Sequence, residues 1–308
     1  MNLFRYPTTW VFVVDETTCF DSLRKIIPSE QIVLFFTDPS EAEREVKLRW
    51  QSALANSGSA GFEIDSLSRL IKTSSRFNQV SVVAADLGKC GRAAIELFER
   101  LSDCGVQRIL LGKVSDEELA VREFNRGKID RFVRRTETGA CEKLLAFSRE
   151  LENDWFSARG QMLDIDPDAI SRLSTISFGL YFKNLIDRFE IVEHYYSASP
   201  RGVWCIDALG DHKFVVLASK GTLDYCLSSL ENLQCPPDLL RDVKRREAIT
   251  LLFDRVEGVG VDYDWLYNTV RIEELIPDRL WVGLHSEPPI DIDYDPKVHA
   301  FRANWSGE

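Results

Sequence analysis

The sequence predicts an α/β half built on five parallel strands, followed by a smaller α+β half with antiparallel strands. Two observations carry this. Before residue 136, short and nearly all-apolar runs alternate with amphipathic stretches, as in a parallel sheet buried on both faces by βαβ crossovers. Beyond about residue 167, strand-like runs follow one another across S-P-R-G and L-G-D-H, which are hairpin turn signals.

In chain order, the first five strands are W-V-F-V-V at 10–14, I-V-L-F-F at 32–36, V-S-V-V-A-A at 80–85, R-I-L-L-G at 108–112 and R-F-V-R at 131–134. Between them, helical spacing runs from Cys19 to Ile27, Ser40 to Ala55, Ile64 to Thr73, Arg92 to Cys104 and Asp116 to Asn125. The last of these starts from Ser115 as N-cap and stops at Gly127. N-S-G-S-A-G at 56–61 splits a second-to-third connection that an ordinary crossover would make with one helix. Leu144, Phe147, Leu151 and Trp155 recur at helical spacing, so a long helix from Gly139 to about Gly160 closes the first half. Gly160 to Pro167 reads as a linker. A helix over 168–188, strands near 190–197, 202–207 and 213–218, helices near 221–233 and 238–247, strands near 249–254 and 279–284, and a Pro- and Asp-rich tail complete the chain. The expected domains are therefore 1–138, a connecting helix and linker over 139–166, and 167–308.

The chain has 308 residues and a formal charge of −11, from 38 Lys and Arg against 49 Asp and Glu. That balance repels phosphate backbones and anionic membranes, so no nucleic-acid partner is expected. No apolar run approaches the roughly 18 residues that span a bilayer, and Trp10–Val14 runs into Asp15 and Glu16 without a cleavage-type sequence, so a cytoplasmic protein is expected. Seven dispersed cysteines without C-x-x-C read as reduced structural thiols, and four dispersed histidines give no zinc spacing. Neither G-x-x-x-x-G-K-[ST] nor G-x-S-x-G occurs, which supports neither an NTPase nor a serine hydrolase and leaves no catalytic residue to name.

In an open α/β sheet, functional groups gather at the carboxyl ends of the strands. There stand Asp15 and Glu16 after the first strand, Asp86 after the third, Gly112 and Lys113 after the fourth, and Arg134 and Arg135 after the fifth. Carboxylates at one edge can hold Mg²⁺ while an Asp takes a phosphoryl group, and a basic side chain can pair with the phosphoryl oxygens. Asp also ends strands simply because turns favour it.

At these residues the chain resembles the receiver domain of two-component response regulators. The resemblance runs over about residues 6–136, through Y-P-T-T-W-V-F-V-V-D-E, F-N-Q-V-S-V-V-A-A-D and Q-R-I-L-L-G-K-V-S-D-E-E-L-A-V-R-E-F-N-R-G-K-I-D-R-F-V-R-R. It is nearest to atypical members with a lengthened second-to-third connection and an uncharacterised C-terminal module. It implies a flavodoxin-like (CheY-like), doubly wound sheet of order 2-1-3-4-5, with Asp86 as phospho-acceptor and Asp15, beside Glu16, as a metal-binding acid for Mg²⁺. It also implies a histidine kinase or other signalling protein as partner, and self-association.

The departures from the family bear on mechanism. Val14 stands where the first acid belongs unless the match shifts by one residue, Lys89-Cys90 replaces Met-Pro, Gly112 replaces the switch Ser or Thr, and Arg134 replaces the strand-five Lys. A glycine has no hydroxyl to sense phosphate, and Arg is not interchangeable with Lys. The expectation is a pseudo-receiver that signals by protein contact, with weak or no phosphorylation at Asp86. The alternatives are a working phospho-acceptor controlling the C-terminal half, and a C-terminal ligand sensor or enzyme governed by the receiver.

Other signals read as structure. Lys244-Arg245-Arg246 with Arg241 is a solvated basic face. Asp291, Asp293 and Asp295 lack the glycine and bidentate Glu of a calcium loop, and Gly258-Val-Gly260 is too short for a phosphate loop. His194-Tyr195-Tyr196 and Val203-Trp204-Cys205 are the core of a small sheet rather than a ligand pocket.

Overall fold

The computed structural model describes residues 2–14, 19–57, 74–161, 167–198, 201–232, 235–251, 269–286 and 301. They fall into two compact units. The first is built on 6–163, and the second on 3–5 together with 164–304.

The first unit is a five-stranded parallel sheet. Its strands are β2 (Thr9–Val13), β3 (Ile32–Phe36), β4 (Val80–Asp86), β5 (Gln107–Gly112) and β6 (Arg131–Arg134), in the order β3-β2-β4-β5-β6. This is the doubly wound order 2-1-3-4-5 expected from the sequence. Parallel register sets Val13 beside Phe36 and Ala85, Asp86 beside Leu111, and Gly112 beside Arg134. The strand ends therefore line one edge.

Alternation along these strands builds two cores. Val11, Val13, Val83, Ala85 and Leu110 face helices α2 (Pro39–Ser57), α4 (Ala93–Arg100) and α5 (Glu117–Asn125), meeting Val46, Leu97 and Ala120. On the other face Trp10, Phe12, Val82, Ala84 and Ile109 meet Leu23 of α1 (Cys19–Ile26) and Leu144 and Leu151 of α6 (Ala140–Gly160). Each fully buried large apolar side chain contributes about 1.5–3 kcal/mol, which is why the strands read as unbroken apolar runs.

The expected long helix is α6, with Leu144, Leu151 and Trp155 buried and Phe147 partly so. The same face carries Glu152, only 1% exposed. It accepts hydrogen bonds from Trp10 Nε1 at 3.2 Å and from Thr8 Oγ1, which keeps its burial affordable. Helix α5 begins at Glu117 after a 3₁₀ turn over Val114–Asp116 rather than from a Ser115 cap, and the chain turns at Gly127 with φ +67°, a conformation glycine adopts freely. The stretch predicted to be helical to Cys104 ends at Arg100 and tightens into a 3₁₀ turn over Ser102–Cys104. A short helix α3 (Leu87–Cys90) directly follows β4. The predicted helix Ile64–Thr73 lies outside the described residues, as does most of the turn at 56–61.

The second unit is an antiparallel sheet of order β1-β7-β8-β9-β13-β12, made of β1 (Phe4–Arg5), β7 (Ile191–Ala198), β8 (Arg201–Asp207), β9 (His212–Ala218), β12 (Glu273–Ile276) and β13 (Leu280–His285). A separate pair joins β10 (Ala248–Thr250) to β11 (Thr269–Arg271). Its helices are α7 (Pro167–Leu173), α8 (Ile176–Phe189), α9 (Lys220–Asn232) and α10 (Pro237–Lys244). The single helix predicted over 168–188 is two, because Thr175 leaves helical geometry with ψ 147° and caps α8 by accepting from Phe178 N at 3.3 Å. The start of the chain belongs to this unit: Phe4 pairs with Tyr195, and Tyr196 N donates to Leu3 O at 2.7 Å.

Candidate functional site

Strand β4 delivers Asp86 to the carboxyl edge of the first sheet, and the backbone turns at once into α3. Asp86 is 2% exposed. Its Oδ1 accepts from Gly88 N at 2.7 Å, the N-cap of the short helix. Its Oδ2 accepts from Arg135 Nη1 at 2.8 Å. Both carboxylate oxygens are thus engaged, one by a dipole and one by a full charge.

Arg135 follows β6 directly, and its own N donates to Gly112 O at 2.8 Å, which continues the ladder and fixes where the side chain leaves the backbone. The guanidinium reaches Asp86 across Gly88. A Cβ at Gly88 would stand 2.7 Å from Arg135 Nη1, so any other residue there would push the guanidinium off its present path.

Gly112, the position of the family's switch hydroxyl, is closed in by other atoms. A Cβ there would lie 2.9 Å from Asp116 Oδ2 and 3.0 Å from the Phe132 ring. Asp116 Oδ2 is itself held by Lys113 N at 2.7 Å. The space a switch side chain needs is filled by a carboxylate and an aromatic ring. Lys113 is exposed at the same edge.

Arg134, matched by sequence to the family's strand-five Lys, points elsewhere. Its Nε pairs with Glu117 at 2.5 Å, on the first turn of α5. Successive strand residues face opposite sides, so the basic group that meets Asp86 is one residue later than the match places it. Arg131 is held by the Asp130 carbonyl at 2.9 Å and lies over Phe147. Sequence reasoning missed Gly88 and Asp116; the glycine two residues after a strand-ending Asp was the available signal for the first.

Val14 is buried in the core at 1% exposed, with its N bonded to Phe36 O at 3.0 Å, so an apolar side chain holds the first acid's ungapped position. Asp15 and Glu16 lie outside the described residues. Asp38, at the end of the neighbouring β3, spends Oδ1 on capping Ser40 N at 2.9 Å. Among the described residues no three His, Cys, Asp or Glu side chains converge as metal ligands. Of the acids expected to hold Mg²⁺, Asp86 is the one among the described residues, and each of its oxygens already accepts one hydrogen bond. Burial, reinforced by the charge of Asp86, pushes the Cys90 thiol up to about 11, so it stays protonated and unreactive at neutral pH.

The remaining candidates resolve into packing and ion pairs. Arg241 pairs with Asp238 at 2.9 Å, Lys244 with Glu231 at 3.0 Å and Arg246 with Asp278 at 3.4 Å, a basic face already answered by acids. Tyr195, Tyr196 and Trp204 are buried in β7 and β8. Cys90, Cys104, Cys141, Cys205, Cys226 and Cys235 are not joined in disulfides. Asp291, Asp293, Asp295, Gly258 and Gly260 lie outside the described residues. Among those described, no helix is long and apolar enough to cross a membrane.

No family model and no curated protein matches the chain. Among solved structures it is similar to the Legionella pneumophila response regulator LqsR, at 18% identity and a TM-score of 0.79 over 99% of this chain and 95% of that one. At that identity the likeness establishes a shared fold. Smaller matches are a signal receiver domain of an HD domain-containing protein from Pseudomonas fluorescens Pf-5, at 17% identity over 50% of this chain and 93% of that one, and an uncharacterised protein from Neptuniibacter caesariensis, at 20% over 48% and 93%. Their TM-scores of 0.35 and 0.33 are too low to bear on the fold.

Proposed function

We propose that the protein is a signalling regulator of the response-regulator type whose receiver is degenerate, with weak or no phosphorylation at Asp86. The observation that carries this is the Asp86–Arg135 pair at 2.8 Å. An aspartate that attacks phosphorus needs an accessible oxygen, with a metal to neutralise the incoming charge. Here Asp86 is 2% exposed with a hydrogen bond already on each oxygen, and Arg135 competes with a metal for its charge. The crowding at Gly112 supports the same reading, since no hydroxyl is there to move and a side chain would first have to displace Asp116 or Phe132.

Output would then come through protein contact in the cytoplasm, with another signalling protein or a second copy. Val121 and Phe124, 60% and 55% exposed on α5, flank a cleft bounded by Phe132, Arg134 and Glu117, an apolar surface with charged edges of the kind partners cover. The overall likeness to a protein described as a response regulator agrees with this class.

The alternative is a working phospho-acceptor, fed by a histidine kinase and governing the second unit. The placement of Asp86 at the end of the central β4 favours it. Its Mg²⁺ would need Asp86 together with Asp15 or Glu16. One experiment separates the two: intact mass after incubation with acetyl phosphate and Mg²⁺, run beside Asp86→Asn. No shift in either protein supports the degenerate receiver, whereas a stoichiometric phosphoryl adduct absent from Asp86→Asn overturns it.

A further inference from the structure

A second cleft lies wholly within the C-terminal unit, between α8 and strands β11 to β13. It encloses about 400 Å³, within the range of small-molecule sites. Tyr181, Asn184 and Arg188 come from one face of α8, at helical spacing, and Arg271 and Glu273 from the strands opposite. Leu185, Val282 and Leu284 supply an apolar lining between these polar groups.

The two arginines of this cleft are not equally answered. Arg271 is paired with Asp242 at 2.9 Å. Arg188 has no acidic partner within ion-pair distance among the described residues; its guanidinium rests 5.0 Å from the centre of the Phe189 ring, which Lys213 also approaches at 5.6 Å. Of the charged side chains that line the cleft, Arg271 is thus answered by Asp242, which leaves one cation, Arg188, and one anion, Glu273. Burial, with Glu273 nearby, pushes the Tyr181 hydroxyl up to about 12, so it remains a hydrogen-bond donor at neutral pH.

We propose that this cleft binds a small amphipathic carboxylic acid, its carboxylate on Arg188 and its hydrocarbon body on Leu185 and Leu284. One carboxylate would answer Arg188, the lining cation without an acidic partner among the described residues, and further negative charge would meet Glu273. Asn184, one turn before Arg188 on the same helix face, offers a further donor, and a planar guanidinium matches a carboxylate in a bidentate fork. The proposal is independent of the state of Asp86 and would give the C-terminal unit an input of its own.

Calorimetric titration of the full chain tests it, with octanoate as probe and acetate and 1-octanol as its two halves. Saturable one-to-one octanoate binding is expected, with acetate and octanol at least tenfold weaker. Arg188→Gln should weaken octanoate binding at least tenfold without moving the melting temperature, since Arg188 is exposed. Octanol binding as tightly as octanoate, no octanoate binding, or unchanged binding to Arg188→Gln would each overturn the proposal. The comparison of octanoate with octanol needs no variant, so the test survives any effect of the substitution on folding.

Discussion

Asp86 is costly to bury as a charge, and Arg135 is what offsets that cost. Removing the guanidinium leaves an uncompensated carboxylate at 2% exposure. Arg135→Ala should therefore destabilise the first unit by about 2–3 kcal/mol, somewhat less than a fully enclosed pair, because water reaches the guanidinium. Urea unfolding followed by tryptophan fluorescence measures this, and a loss below about 0.5 kcal/mol would show the pair to be incidental. Gly112→Ser tests the neighbouring position. Its Cβ meets Asp116 Oδ2, so a cost of about 1–3 kcal/mol is expected, reduced when combined with Asp116→Ala. Simple additivity in that double-mutant cycle would remove the steric account. The sequence located Asp86, because an aspartate closing an all-apolar strand is visible in one dimension. It did not separate Arg134 from Arg135, because adjacent basic residues differ only in the face they take, and that depends on where the last ladder bond falls.

Elements were legible in proportion to their apolar length. Of the five parallel strands the central β2 and β4 stood out most, being buried throughout, whereas β1, β11 and β12 are two to four residues long and carry no period. The break between α7 and α8 was hidden because Leu173, Ile176 and Leu180 keep helical spacing across it while Thr175 caps the second helix. Thr175→Ala should accordingly cost about 1 kcal/mol, read from the thermal midpoint of the second unit. Near the end of α5, burial raises the cost of charging Glu123, yet a hydrogen bond from Arg122 and the charges of Lys128 and Arg126 outweigh it, holding the carboxyl below the usual range. A lowered carboxylate stabilises the fold above its unfolded pKa, and that contribution disappears as pH falls from about 4.5 through the folded value. Glu123→Gln should thus lower stability at pH 7 and lose less than the parent protein on acidification, as pH-dependent urea midpoints would show. Parallel acid slopes for the two proteins would contradict the assignment.

At the scale of the whole molecule, two units of different grammar share one chain, and their boundary is not a single point along it. Residues 3–5 belong with 164–304. Phe4 is fully buried there, so Phe4→Ala should cost about 3–5 kcal/mol, and the loss should be confined to the antiparallel sheet. Amide exchange locates it: the Tyr196 amide, bonded to Leu3 O, should exchange faster while that of Val83 in β4 is unchanged. Equal acceleration at both sites would mean that the two units open together. No linear reading of periodicity finds such a strand, since its partner is most of the chain away and two residues offer no alternation to detect.

That pairing also sets an order of events during synthesis. Phe4 leaves the ribosome well before Tyr195, which is made only after the five parallel strands and α6 have emerged. Leu3–Arg5 must wait unpaired while the first unit is made, and the antiparallel sheet gains this edge only once β7 has followed. A bulky fusion ahead of residue 3 would therefore burden the later-made of these two units.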